Sequence, residues 1–328
     1  MTKIIRNSRF QAPKFIYGVL ITNYELRITN YELERSDMTR ILLTGSTGQL
    51  GQELQQTLAD YKEVIAARRS TCDLKEADTL RQLMREVQPQ LVINTAAYTA
   101  VDKAETEPEL ATAINAIAPT ILAQEVQQLG AFLIHISTDY VFDGRQSHPY
   151  KENDSPNPLN VYGQTKLAGE EGIRESCDHY LILRTAWVYG AYGKGNFVKT
   201  MLKLGQEREE IRVVSDQIGS PTWARNLAEA IAQMIPKLSP EIVGIYHFTN
   251  SGVASWYNFA IAIFEEAERL GFPLKVRQVI PITTAEYPTP ARRPAYSVLS
   301  CSKISGVLGA YPPHWREKVR QMLLELRG

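Results

Sequence analysis

The sequence predicts an α/β protein built on a doubly wound parallel sheet, followed by a smaller C-terminal α/β lobe. Three observations predict it. Short apolar runs alternate with helical periods over the first half of the chain. The runs are continuous instead of alternating apolar with polar, which suits strands buried on both faces. A glycine-rich segment, Gly45 to Gly51, stands between the first run and the first helical period, where open sheets of this class bind phosphates.

Each element follows from its residues. Arg40-Ile41-Leu42-Leu43-Thr44 reads as the first strand, and Leu50, Leu54 and Leu58 mark one face of the first helix. Val64 to Ala67 is the second strand. Leu80, Leu83, Met84 and Val87 line a second helix that stops at Pro89. Leu91-Val92-Ile93-Asn94 is the third strand. One helical period runs from Leu110 through Ile114, Ile117, Ile121 and Leu122 to Val126 and ends at Gly130. Phe132 to Ile136 is the fourth strand, Leu167 to Ile173 is helical, and Tyr180 to Leu183 is the fifth strand. Right-handed crossovers make such a series doubly wound, or Rossmann-like. After about Tyr189 the pattern loosens. Strands at Ile211–Val214 and Ile245–Phe248 mix with helices at Leu227–Ile235 and Trp256–Leu270, and prolines gather at 281, 288, 290 and 294. Residues 38–188 are therefore expected to form the dinucleotide-binding domain. Residues 189–328 are expected to form mainly a substrate lobe that shares a cleft with it.

Composition narrows the function. The 328 residues are 44% hydrophobic and 22% charged, ordinary for a globular enzyme. Lysine plus arginine balances aspartate plus glutamate at 36 each, so no global field favours nucleic acid or an anionic membrane. Cys72, Cys177 and Cys301 are too few and too scattered for a disulfide framework or a zinc cluster, and a reducing, cytoplasmic setting fits. Nothing approaches the roughly 18 apolar residues of a membrane span.

The N-terminus stands apart. Ile21-Thr22-Asn23-Tyr24-Glu25-Leu26 recurs as Ile28-Thr29-Asn30-Tyr31-Glu32-Leu33. Two copies are too few for a coiled coil, and no long apolar core marks a signal peptide. Residues 1–37 are expected to lie outside the fold, upstream of a start at Met38.

Gly45, Gly48 and Gly51 have distinct uses in this context. Gly45 permits a sharp turn, Gly48 lets backbone N–H groups approach a pyrophosphate, and Gly51 lets helix and strand pack closely. The helix end adds its unpaired N–H groups and positive dipole, with Thr47, Gln49 and Leu50 beside them. The acidic residue that often closes the second strand is missing, and Arg68-Arg69 stand there instead. Guanidinium suits a 2′-phosphate, which favours NADPH over NADH. The plainer alternative is a pair of solvated arginines. Asp73 is either a neighbour of the adenine or a helix N-cap.

The reducing centre is read from two segments. Ser137-Thr138-Asp139-Tyr140 follows the fourth strand, at the carboxyl end where such sheets bind ligands. Tyr162 and Lys166 lie four apart on a helix and so share a face. Ketone reduction needs hydride on carbon and a proton on the developing alkoxide. A free phenol, with a pKa near about 10, is a slow donor at neutral pH, and an adjacent ammonium is expected to lower it. Thr138 is expected to hold the carbonyl oxygen, and Lys166 to hold the nicotinamide ribose. Asn94-Thr95-Ala96-Ala97-Tyr98 ends the third strand with small residues that leave room for a cofactor, or form a plain tight loop. Asn115 bends its helix or caps a turn. His135 reads as a packed core histidine, and His148, His179, His247 and His314 show no metal spacing.

These segments resemble the extended short-chain dehydrogenase/reductases and, within them, the dTDP-4-dehydrorhamnose reductase family. The resemblance runs from Met38 to near the C-terminus. Its specific blocks are Val101-Asp102-Lys103-Ala104-Glu105, Ser137 to Gly144, Asn160 to Lys166, Arg184 to Gly190, Asp216-Gln217-Ile218-Gly219-Ser220-Pro221-Thr222 and Tyr287 to Pro294. It implies the last step of dTDP-L-rhamnose synthesis, with NADPH or NADH reducing the C4 keto group of a nucleotide-linked sugar. It implies Thr138, Tyr162 and Lys166 as the catalytic set. It implies Gln49, Leu50, Asp73, Leu74, Ala96, Ala97 and Tyr98 as cofactor contacts, and Thr138, Asp139, Tyr162 and Trp187 as substrate contacts. Trp187 reads equally as a core tryptophan, and Arg292-Arg293 as diphosphate partners or a surface pair. Members of the family can be magnesium-linked dimers. A homodimer and the ion therefore stay open, and no ligands map to the metal. Two rivals remain: a non-catalytic NADP-binding regulatory subunit of the same family, and an epimerase or dehydratase that recycles its hydride.

Overall fold

The computed structural model describes residues 40–61 and 63–327; the expectation for residues 1–37 and for Met38 falls outside them. Six strands form the central sheet. They are β1 (Arg40–Thr44), β2 (Glu63–Ala66), β3 (Leu91–Asn94), β4 (Phe132–Thr138), β5 (Tyr180–Thr185) and a returning strand, β7 (Gly244–His247). From one edge the order is β7, β5, β4, β3, β1, β2, and every pairing is parallel. The chain leaves β1 for β2 on one side and returns to β3 on the other, so the topological switch falls between β1 and β3. Ligands of such sheets bind outside the carboxyl ends of the strands at that point.

The apolar runs are buried as their composition requires. Ile41, Leu42 and Leu43 in β1, and Leu91, Val92 and Ile93 in β3, have no solvent exposure. On one face β1, β3 and β4 pack through Leu42, Val92 and Leu133 against Leu80 and Met84 of α2 (Ala77–Val87) and Ile121, Leu122 and Val126 of α3 (Ala118–Leu129). α1 (Gln49–Thr57) follows the glycine loop, and α4 (Val161–Ser176) lies between β4 and β5 in the chain.

Three elements depart from the sequence expectation. The helix expected over Leu167–Ile173 begins six residues earlier, at Val161. Its first turns carry site-facing polar residues and so hide the apolar period. Asn160 caps it, its side chain accepting from Gly163 N at 2.8 Å. The single period from Leu110 to Val126 is broken into Pro108–Thr112, a π-helical turn at Ala113–Ile117, and α3. Pro119 cannot donate within the ladder, and the Asn115 side chain in the π turn is engaged elsewhere. The strand expected near Ile245–Phe248 joins the main sheet, Gly244 pairing Leu181 and His247 pairing Arg184.

The rest of the chain past Tyr189 builds a second core. α5 (Phe197–Glu207), α7 (Trp256–Arg269) and α8 (Trp315–Arg327) enclose Val198, Phe259, Ile263, Trp315, Val319 and Leu323, together with β6 (Glu210–Val214) and its parallel partner β8 (Gln278–Ile282). α6 (Ala224–Met234) packs against α1.

The two cores are accompanied by one buried ion pair beneath the site. Arg184 on β5 donates to Glu170 on α4 from Nε at 2.9 Å and from Nη2 at 2.6 Å, and both side chains are almost wholly buried. Arg184→Met leaves the Glu170 carboxylate buried without its cation. This substitution is expected to destabilise the protein by about 3–5 kcal/mol, lowering the urea midpoint. The double variant Arg184→Met, Glu170→Leu is expected to recover most of that loss.

Candidate active site

The glycine loop is shaped by close backbone approach. Gly45 has φ +71°, and a Cβ there would lie 2.6 Å from Ala96 N. At Gly51 it would lie 2.2 Å from Gly45 O, so β1 and α1 pack at a distance no side chain allows. Gly48 is the N-cap of α1 with no side-chain cap. The N–H groups of the first turn and the positive helix end therefore face outward.

They face a cleft of about 750 Å³. Gly45, Thr47, Gly48, Gln49 and Leu50 line it on one side, Arg68, Asp73 and Leu74 beyond β2, and Ala96 and Ala97 after β3. Thr138, Asp139, Tyr162, Lys166 and Trp187 line it too. Two predicted residues stand apart. Gly51 packs under the loop. Tyr98 is absent from the lining; its hydroxyl donates to Glu107 Oε2 and its backbone is clasped by Asn115, which accepts from Tyr98 N at 2.8 Å and donates to Tyr98 O at 3.1 Å. Asp73 caps no helix. It accepts from Lys75 N at 3.2 Å in a local turn, and the next helix is capped at Glu76. Arg69 leans 3.5 Å from Asp73, while Arg68 is exposed on the cleft rim.

Tyr162 and Lys166 project from α4 beside the end of β4. Tyr162 packs edge-on against Tyr140, ring centroids 5.4 Å apart. Thr138 Oγ1 donates to Asp139 Oδ1 at 3.0 Å and accepts from Tyr140 N at 3.2 Å. Asp139 is 2% exposed, and burial pushes its carboxyl up to about 6 against the opposing Ser297 and Thr138 hydrogen bonds. The expectation that an ammonium acidifies the Tyr162 phenol is corrected here. Burial pushes that phenol up to about 12, opposed by a Thr138 hydrogen bond. The physical reason is that the Lys166 amine is committed elsewhere. Its Nζ donates to Ile136 O at 2.6 Å and stands 3.1 Å from His135 Nε2. Lys166 is itself fully buried and pushed down to about 8 by desolvation, with Glu170 opposing.

Trp187 has φ 49°, a strained conformation for a bulky residue that clusters at functional sites. Its ring stacks on Trp256, centroids 3.5 Å apart and 5° from parallel. A side chain at Gly219 would meet the same ring at 2.5 Å. Trp187 therefore both packs on the second core and borders the cleft.

Sequence reasoning missed several features of the site. For three buried polar groups it missed the hydrogen-bonded roles: His135, read as a packed core histidine, is fully buried as expected but touches Lys166, and the buried Asn94 and Asn115 side chains reach His135 and Thr165. Trp256 and Lys194 reach the cleft from the C-terminal half; only Gly193-Lys194-Gly195 offered a signal. Among the described residues no three His, Cys, Asp or Glu side chains converge as a metal set, and no helix is long and apolar enough to cross a membrane.

The sequence pattern of the RmlD substrate binding domain matches residues 38–327. The chain belongs to that family. It is 45% identical over 293 residues to the dTDP-4-dehydrorhamnose reductase of Escherichia coli K12, covering 87% of this chain and 97% of that protein. The fold is similar to the crystal structure of the Bacillus anthracis dTDP-4-dehydrorhamnose reductase in complex with NADP. There the TM-score is 0.81 and the identity 40%, covering 88% of this chain and 99% of that one. The reductase structure from Clostridium acetobutylicum matches with TM-score 0.82 at 39% identity, covering 88% and 100%.

Buried Lys166 gives stability a defined pH dependence. Its folded pKa lies near 8, below the ordinary 10.5, so between these values the unfolded state binds more protons. Stability contributed by this group therefore rises with pH across that window and is flat below it. Urea unfolding from pH 7 to 10 is expected to show a rise for the wild type, relative to Lys166→Met, in the upper part of the range.

Proposed function

We propose that this protein reduces the C4 keto group of dTDP-4-dehydro-β-L-rhamnose to dTDP-β-L-rhamnose, using NADPH. One observation carries the reading. A phenol, a lysine amine and a threonine hydroxyl share a single cleft with an uncapped helix end and a glycine turn. The kinship of the chain supplies the substrate class, since its relatives bear that activity in their names.

The residues fit the cofactor. Glycine at 45 lets the loop lie against the Ala96 backbone, where any Cβ would clash, and the first turn of α1 offers N–H donors for a pyrophosphate. Arg68 on the rim suits a 2′-phosphate. Thr47, Gly48, Gln49 and Leu50 would hold the phosphates, Asp73 and Leu74 the adenine side, and Ala96 and Ala97 the nicotinamide side. When bound, NADPH supplies the hydride that adds to C4 and leaves as NADP⁺.

The chain supplies the proton. Tyr162 O–H gives it to the oxygen at C4 as the carbon–oxygen double bond becomes single, with the Thr138 hydroxyl beside it. The phenol is protonated at neutral pH, so its proton is in place before hydride arrives. Asp139 and Trp187 face the sugar. Lys166 borders the ribose of the cofactor. The residues past Tyr189 form mainly the substrate side of the cleft, and the working compartment is the cytoplasm.

Mixing the protein with NADPH and dTDP-4-dehydrorhamnose tests the reading through loss of NADPH absorbance. Stoichiometric consumption is expected, and no consumption would sink it. Tyr162→Phe is expected to lower turnover by at least about 10²-fold while NADPH binding persists. Arg68→Ala is expected to raise the KM for NADPH about tenfold and leave that for NADH unchanged, as loss of one charge-assisted contact requires.

A further inference from the structure

A buried polar chain crosses three strands of the sheet and ends on the active-site lysine. Thr44 Oγ1 on β1 donates to Asn94 Oδ1 on β3 at 2.6 Å. Asn94 Nδ2 lies 3.0 Å from His135 Nδ1 on β4, and His135 Nε2 lies 3.1 Å from Lys166 Nζ on α4. Asn94 and His135 have no exposure, and Lys166 has 1%.

The donors in this chain fix its direction. Ala96 N–H, in the loop that lines the cleft, points to Asn94 Oδ1 at 3.2 Å. A backbone N–H can only donate, so Oδ1 accepts and the Asn94 amide cannot be turned without orphaning Ala96. Asn94 Nδ2 then donates, which makes His135 Nδ1 an acceptor. A neutral imidazole with Nδ1 accepting carries its proton on Nε2. That proton faces Lys166 Nζ, and an ammonium has no lone pair to receive it.

We propose that His135 is a positioning residue for the reduction: as its Nε2–H tautomer it donates to Lys166 Nζ when that side chain is a neutral amine, and so favours loss of the ammonium proton in the ligand-free protein. The amine's lone pair accepts from His135, one N–H is given to Ile136 O at 2.6 Å, and the second N–H is left for the cleft that Lys166 lines. Burial acts in the same direction on both groups. Desolvation, and then the charge of Lys166 in its ammonium form, hold His135 well below the ordinary imidazole range, and desolvation pushes Lys166 down to about 8, so the amine is neutral above that value.

The other charged and titratable groups around the amine are accounted for. Glu170, one turn along α4, favours the ammonium, but its carboxylate is bound by Arg184 of β5 and Ser137 of β4. Tyr162, one turn back, is a neutral phenol. Asp139, at the end of β4, accepts from Thr138. His135 is thus the group whose hydrogen bond depends directly on the amine's protonation state. Its role in turnover rests on the reductase reading, whereas its tautomer does not.

Ring-¹⁵N histidine NMR of the ligand-free wild type reads the tautomer, with the His135 signal assigned by its loss in His135→Phe. The Nε2–H form is expected at pH 9, above the Lys166 midpoint; an Nδ1–H tautomer or an imidazolium there overturns the proposal. ¹³Cε lysine NMR then follows Lys166, assigned by Lys166→Met. Removing a hydrogen bond to the neutral form is expected to raise the Lys166 midpoint by about one unit or more in His135→Phe. In His135→Gln, whose side-chain N–H can replace Nε2–H, the midpoint is expected to stay near that of the wild type. An unchanged midpoint in His135→Phe overturns the proposal, even if that variant is slower or less stable. Both readouts need no substrate, so a wild type that fails to consume NADPH would count against the reductase reading alone.

Discussion

The row of buried polar side chains from Thr44 to Lys166 is the constraint on which the cleft depends. It runs across β1, β3 and β4, strands whose buried centres are otherwise Ile, Leu and Val. Polar groups so deep cost free energy unless every one finds a partner. Here each partner lies on a different element, so the network is satisfied only when the strands are in register and α4 is seated against the sheet. Register of the sheet and position of the lysine are therefore one requirement. The same requirement extends to the loop after β3, since Ala96 N–H belongs to the network while Ala96 itself borders the cleft.

Around that row the fold divides its work between two cores. The sheet core fixes the glycine turn and α4, and the core under α5, α7 and α8 fixes Trp256 and, through it, the strained Trp187. Strain at Trp187 is held by a ring stacked on one side and a glycine on the other. Two hydrophobic cores within one compact unit thus border the cleft. Preorganisation of this kind leaves little reorganisation to be made when charge develops on a substrate oxygen.

Much of this was legible in the amino-acid sequence, and the illegible part has physical causes. Apolar runs such as Ile41–Leu43 and Leu91–Ile93 declare buried strands. Gly45 and Gly51 declare a close approach, and Tyr162 with Lys166 declares a shared helix face. His135 was legible only as a core residue, because a histidine inside Phe-Leu-Ile-His-Ile carries no mark of what lies across the sheet. Asn94 was hidden likewise. The start of α4 was obscured because its first turns face the site, not the core, and so lack the apolar period. Tyr98 is implied as a cofactor contact by resemblance alone, and its spacing carries no sign that Glu107, nine residues on, takes its hydroxyl. The effect of Lys166 on Tyr162 was misjudged because spacing on a helix says that two side chains are neighbours, not which other groups claim them.

The edge strand β7 carries a consequence for biosynthesis. It pairs with β5 although the whole of α5, β6 and α6 intervenes in the chain. Until that stretch has left the ribosome, β5 is an open edge, with hydrogen-bonding groups along one side of an apolar strand. Such edges invite pairing with other chains, and contacts distant in sequence form slowly. A nascent polypeptide whose first five strands assembled as they emerged would pass through an interval with that edge open. Emergence of Gly244–His247 ends that interval, so chaperone dependence should be concentrated in the window between synthesis of β5 and synthesis of β7.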